Sequence, residues 1–244
     1  MQIGSRSAFA NPFVIPTPGY ADAGAGLLDG RAVFGWFLAA APSASLGWLA
    51  KRAIDVVGAA LLLILVSPLL LAAIVLVRLT SRGPAVFAQE RPGYRGRSFR
   101  MYKLRTMVEG AGALEARLGE RGGRGVFFKL ESDPRVTPIG RLLRRTSVDE
   151  LPQLVNVLRG EMSLVGPRPL LAGDVTNLPP AADRLRFTML PGMTGLWQVS
   201  GRSRSTEQDR LRLDREYVER WSLWLDLKIL LRTLPAVVSG SGAV

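Results

Sequence analysis

The chain contains no histidine and no cysteine. Imidazole bases, thiolate nucleophiles and His/Cys metal sites are therefore excluded, and no disulfide framework argues for an oxidising compartment. Any nucleophilic chemistry falls first to carboxylates, with hydroxyls and lysine behind them. Charge is missing from Val56 to Val77, a run made mostly of Leu, Val, Ile and Ala. Acids are scarce in one third of the chain: residues 78–145 hold 16 Lys/Arg against 6 Asp/Glu, which accounts for most of the net +12. Such a patch is either a solvated basic surface or a seeker of phosphate, as nucleic acid, anionic lipid or a phosphorylated small molecule.

The uncharged run is long enough to cross a hydrocarbon core of about 30 Å. Ser67-Pro68 sits in its middle. Pro68 removes an N–H and clashes one turn back, and Ser67 is suited to satisfy a freed backbone group. Both flanks are basic, Lys51 and Arg52 before and Arg78 and Arg82 after, which favours keeping both ends on the cytoplasmic side. The expectation is a re-entrant helix–break–helix over 51–80. A kinked spanning helix and a buried core helix are the alternatives. Residues 1–50 read as a disordered or interfacial extension.

After this segment, Ala85–Ala88 and Ser98–Tyr102 predict a small β-hairpin around Pro92-Gly93 and Gly96. Residues 108–125 predict a helix ending in a Gly/Arg-rich loop from Gly119, a lid or a plain linker. Thr137-Pro138 opens a short helix. Ile139, Leu142 and Leu143 make its packing face, while Arg141, Arg144 and Arg145 share another face, suited to phosphate oxygens. Residues 207–234 predict long amphipathic helices. Their Tyr217, Trp221 and Trp224 suit either a membrane interface or an ordinary core contact.

The most informative stretch is Thr146-Ser147-Val148-Asp149-Glu150-Leu151-Pro152. Ser147 to Glu150 matches a capping box, with Asp149 complementing a helix dipole. The same position would keep Asp149 ionised, as an acyl-phosphate-forming nucleophile must be. Its neighbour Glu150 suits a divalent cation, which one or two carboxylates plus substrate phosphates commonly hold. Adjacent helical residues do not share a face, so the two acids are expected to do different jobs. Gly166-Pro167-Arg168-Pro169 holds one arginine on a stiff, non-helical segment, suited to phosphate or nucleotide recognition or to a structural turn. The glycine-punctuated loop 191–202, ending in Arg202, is a weaker candidate for a pocket wall.

These pieces occur in a recognisable order. From Lys51 onward the chain resembles the bacterial sugar transferases, monotopic phosphoglycosyl transferases that start glycan assembly on a polyprenyl phosphate. The resemblance is carried by the Ser67-Pro68 break, Phe99 to Met107, Asp133 to Thr137, Ser147 to Gln153, Asn156 to Pro169, the loop 191–202 and Tyr217 to Ser222. It implies that a UDP-sugar donates its sugar-phosphate, that Asp149 attacks and UMP leaves, and that undecaprenyl phosphate then takes the phosphosugar. It implies Mg²⁺ on Glu150, with Asp149 beside it. Lys103, Arg105, Arg145 and Arg168 are then candidates for phosphate or nucleotide contact, with Arg141 and Arg202 completing the set.

The expected architecture is helix-rich α+β. A re-entrant membrane helix (51–80), a hairpin and interfacial helices surround a catalytic domain (81–244) on the cytoplasmic face of a bacterial inner membrane. The short form matches enzymes of exopolysaccharide synthesis, and the C-terminal residues 237–244 resemble hexose-1-phosphate transferases, favouring glucose or galactose. No nucleic-acid partner is expected, and a homo-oligomer stays open. The rival is a non-enzymatic membrane protein that binds nucleic acid or anionic lipid through residues 78–145. It leaves the acidic pair and the Gly-Pro-Arg-Pro segment without a role.

Overall fold

The computed structural model describes residues 46–111, 133–171, 175, 185–200 and 206–238. The expectations for residues 1–45, for most of 108–125, for Arg202 and for residues 239–244 lie outside these. The described part is helix-rich α+β, as anticipated.

Helix α1, Leu46–Thr80, is 35 residues long, about 52 Å at 1.5 Å per residue. It is one hydrogen-bonded helix rather than two, and it runs through Pro68. The Ser67 hydroxyl donates to the Ile64 carbonyl at 2.8 Å. That carbonyl is the one the missing Pro68 N–H would have served, so the helix survives its proline. Residues 46–50, expected in the N-terminal extension, belong to this helix.

One stripe of α1 lies on the rest of the protein. Asp55, Ala59, Leu63, Val66, Leu70, Ala73 and Val77 recur every three or four residues and are buried or half-buried. Lys51 and Arg52, the basic flank before the uncharged run, are buried on the same side. Lys51 Nζ donates to Asp226 Oδ2 at 2.7 Å and to the Val165 carbonyl at 3.0 Å. Arg52 Nη2 donates to Val157 O at 2.7 Å. The opposite stripe is exposed and apolar: Leu61, Ile64, Leu65, Leu69, Leu71, Val75 and Leu79.

Strands β1, Val86–Pro92, and β2, Ser98–Leu104, form the expected antiparallel hairpin, joined by the turn Tyr94–Gly96. Helix α2 is Pro138–Arg145 and α3 is Gln153–Leu158. Strand β3, Ser163–Val165, pairs in parallel with β4, Gly192–Thr194. Helices α4 (Leu196–Ser200), α5 (Glu207–Glu219) and α6 (Leu223–Val238) follow.

The core is built where these meet. Tyr217 is fully buried, and its hydroxyl donates to Asp226 Oδ1 at 2.7 Å. Trp221 stacks on Trp48 at 5.2 Å and its indole N–H reaches Asp226. Two of the three aromatics that suited a membrane interface are thus packed against other elements. Trp224 alone faces outward, with Leu227, Leu231 and Leu234 along α6.

Candidate active site

The site forms where α2, the turn after it, β2 and the loop after β3 converge. Thr137 caps α2 by accepting from Gly140 N at 2.9 Å, with Pro138 in the first turn, as the sequence suggests. Gly140 lies against the Thr106 backbone; a Cβ there would meet Thr106 O at 2.0 Å. That close approach fixes α2 beside the end of β2, and Arg144 Nε donates to the Thr106 hydroxyl at 2.9 Å.

The expected capping box does not form. Ser147 has φ 57° and its side chain makes no cap bond. It ends α2 with a left-handed residue, and the acids sit in a separate 3-10 turn, Val148–Glu150, before α3 begins. That turn points the carboxylates inward rather than along a helix face. Asp149 is 8% exposed.

Glu150 Oε1 accepts from Lys103 Nζ at 2.9 Å and from Arg168 Nη2 at 2.8 Å. Lys103 follows Phe99 and Met101 on the inward face of β2, so its ammonium emerges where the core ends. Arg168 leaves a segment fastened from outside. Gly192 N donates to Pro167 O at 2.9 Å, and Gly166 N donates to Thr194 O at 2.9 Å. Gly166 and Gly192 touch backbone to backbone; a Cβ on Gly192 would lie 2.0 Å from Gly166 N. The Gly-Pro-Arg-Pro segment and the loop that begins at Pro191 are therefore one unit, and Gly192 and Gly195 are there because both press on the Gly166 backbone.

The two acids have opposite electrostatics. Burial pushes the Asp149 carboxyl up to about 6, with the Glu150 charge adding; Lys103, Arg144 and Arg168 oppose it. Burial also works against Glu150, but Arg168 and Lys103 overcome it and hold that carboxyl well below the usual range. Burial thus outweighs the nearby cations and raises the Asp149 carboxyl, yet a value of about 6 leaves it mostly ionised at neutral pH. The result is a fixed anion next to a carboxylate of tunable charge.

The remaining expected residues divide. Arg105 turns to Ser81, donating to its carbonyl at 2.9 Å and hydroxyl at 2.8 Å, and so ties down the end of α1. Arg141 and Arg145 are exposed. Arg144, half-buried between them, is the one whose charge acts on Asp149. Sequence periodicity found the arginine face but could not rank its members. Trp197, buried, lies under Arg168 at 5.9 Å and Arg210 at 5.0 Å. Nothing in the sequence singled out Arg186 or Asp214, whose buried ion pair lies behind Arg168.

Among the described residues, no cluster of three or more acidic side chains could cage a metal. Asp149 and Glu150 nevertheless offer hard oxygen donors side by side, a set that fits Mg²⁺ when substrate phosphates complete its coordination.

Comparison with known proteins places the whole chain rather than the site. The family model described as "Bacterial sugar transferase" matches residues 46–240. The exopolysaccharide production protein ExoY of Rhizobium meliloti is 42% identical over 207 residues, covering 81% of this chain and 89% of its own. The UDP-glucose:undecaprenyl-phosphate glucose-1-phosphate transferase of Caulobacter vibrioides is 46% identical over 204 residues, 80% of this chain and 72% of its own. The galactosyl transferase CpsE of Streptococcus agalactiae is 44% identical over 202 residues, 80% of this chain but 43% of its own, so the chain spans less than half of that relative. The chain belongs to the bacterial sugar transferase family.

Proposed function

We propose that the protein transfers a hexose-1-phosphate from a UDP-sugar to undecaprenyl phosphate, initiating an exopolysaccharide. The observation that carries this is the Asp149–Glu150 pair, with Glu150 gripped by two cations from different elements. In the first step an Asp149 oxygen attacks the phosphorus bonded to the sugar. The bond from that phosphorus to the bridging oxygen breaks, and UMP leaves with the electron pair. In the second step a phosphate oxygen of the lipid attacks the same phosphorus, the aspartyl–phosphorus bond breaks, and Asp149 is regenerated. Lys103 and Arg168 lie close enough to Glu150 to shift onto donor phosphates and neutralise charge that builds on them. Glu150, with Asp149, would hold Mg²⁺, which supplies further neutralisation of the diphosphate.

A lipid acceptor requires a membrane-facing site. The exposed apolar stripe of α1 exceeds what a soluble surface carries. A monotopic arrangement is supported by what holds each end of α1. Lys51 and Arg52 are bonded to α6, β3 and α3, while Ala73 and Val77 pack with Ala85, Leu104 and Leu143. Both ends are thus tied to one domain, which supports a reading in which they share one side of the bilayer. Glucose and galactose donors are favoured by the C. vibrioides and S. agalactiae relatives.

The test is mass spectrometry of protein incubated with a panel of UDP-sugars and Mg²⁺, without lipid. A phosphohexose on Asp149 with release of one UMP is expected. No adduct without lipid, from protein that still transfers the phosphosugar once undecaprenyl phosphate is added, would overturn the covalent route.

A further inference from the structure

Arg168 sits between two prolines, neither of which can donate a backbone bond. The segment cannot hold itself by regular structure, so its carbonyls are gripped from outside. Pro167 O accepts from Gly192 N at 2.9 Å, and Pro169 O accepts from Arg91 Nη1 at 3.3 Å. The middle carbonyl, that of Arg168 itself, accepts from Arg186 Nη2 at 2.7 Å. The same nitrogen donates to Asp214 Oδ2 at 2.9 Å.

Arg186 and Asp214 are 5% and 4% exposed. A buried ion pair is weak evidence of stabilisation, because apolar residues of similar volume often serve as well or better. Its placement suggests a different purpose. Burial pushes Asp214 up to about 6, opposed first by Arg186. The pair engages Arg168 through its carbonyl, by way of Arg186 Nη2, which Asp214 holds in place. On the far side of the same residue, the guanidinium bonds Glu150 at 2.8 Å and lies over Trp197.

We infer that Arg186 and Asp214 are positioning residues, a buried clamp on the Arg168 backbone that fixes how the Arg168 guanidinium meets Glu150 and the donor diphosphate. Neither side chain touches the reacting atoms; both act through Arg168. Lysine is not a neutral replacement for Arg186: it keeps the charge but loses the planar guanidinium that presents Nη2 to the carboxylate and the carbonyl at once. The inference rests on the proposed reaction for its kinetic test but not for its structural one.

The kinetic test is a double-mutant cycle on UMP release in membranes. Arg186→Lys should lower donor kcat/KM about tenfold, which corresponds to about 1.4 kcal/mol. In an Arg168→Ala background the same change should cost less than twofold. Asp214→Asn should follow the same pattern, and the KM for the lipid acceptor should stay put. Equal losses in both backgrounds would mean a general structural role and overturn the inference. The structural test is hydrogen exchange in full-length, detergent-solubilised protein. Arg186→Lys should speed exchange in a peptide covering 163–171 while the β1–β2 hairpin keeps its protection. Unchanged exchange there would overturn the clamp, whatever the reaction. Absence of UMP release from the wild type would instead sink the proposed reaction and leave exchange to judge the clamp.

Discussion

Arg168 Nη2 lies 2.8 Å from Glu150 Oε1, and Lys103 Nζ meets that same oxygen at 2.9 Å. Two cations on one carboxylate oxygen create a fixed negative charge directly beside Asp149. That charge helps burial keep the Asp149 carboxyl near 6, while Arg144 opposes it. The two neighbours should therefore move the acid limb of the rate in opposite directions. Glu150→Gln should lower turnover on the order of a hundredfold and shift the acid limb of residual kcat/KM below 6. Arg144→Ala should shift the limb above 6. Arg141→Ala and Arg145→Ala, at exposed positions, should leave it unmoved. The check is UMP release between pH 4.5 and pH 8, in the range set by the Asp149 value. Shifts of the same sign in the first two variants would count against this electrostatic account.

Asp149 also sets a stability prediction. Its folded pKa, about 6, is above its ordinary value of 3.8, so the fold binds a proton more tightly than the unfolded chain does. A raised carboxyl pKa costs stability as pH rises from about 4 through about 6, and the full cost stays above that. Asp149→Asn removes the charge without emptying the space. The variant should make no adduct, yet be more stable than the wild type by about 1–3 kcal/mol at pH 8. The gain should shrink at pH 5. Thermal unfolding in detergent at the two pH values measures it, and a destabilised Asn variant at pH 8 would contradict the sign.

The sequence disclosed the chemical groups better than their surroundings. The Asp149–Glu150 pair, Lys103 and Arg168 come from three separate motifs and meet at the Glu150 carboxylate, because each motif carries its own stiffness or alternation. The capping box was misleading because a Ser-x-x-Glu spacing says nothing about φ, and Ser147 at +57° ends one helix instead of starting another. Lys51 and Arg52 read only as a basic flank, because hydropathy does not reveal the Asp226 carboxylate, 175 residues on, that Lys51 meets. Arg186 and Asp214 left no local signal at all, since their role exists only through a long-range contact with the Arg168 backbone.

Asp226 organises the base of α1. It accepts from Lys51, Tyr217 and Trp221 at once. Asp226→Ala would leave the Lys51 ammonium, 2% exposed, with the neutral Val165 carbonyl at 3.0 Å and the Asp55 carboxylate no nearer than 3.9 Å. Breaking one side of a buried pair in this way costs about 3–5 kcal/mol. The expected result is a large fall in Tm or loss of folded protein. Lys51→Met combined with Asp226→Leu removes both charges and should recover much of that loss. No recovery in the double variant would show that the pair does more than satisfy itself.

Helix α1 offers a direct topology test, because the chain has no cysteine of its own. Leu46 and Leu79 lie at its two ends, 86% and 78% exposed, and each can be changed singly to cysteine. At about 52 Å the helix is longer than a single perpendicular crossing needs, and its packed stripe keeps it against one domain. Both cysteines should therefore resist a membrane-impermeant maleimide in intact spheroplasts and react in inverted vesicles. Pro68→Ala should not change this. The ends are held by Lys51–Asp226 on one side and by Val77 among Leu104 and Leu143 on the other, not by the proline. Restoring the N–H at 68 merely returns to Ile64 O the partner that Ser67 now supplies. Labelling of one of these cysteines from outside, with Pro68 in place, would establish a spanning helix. Labelling from outside only in the Pro68→Ala variant would assign the topology to the proline instead of the anchors.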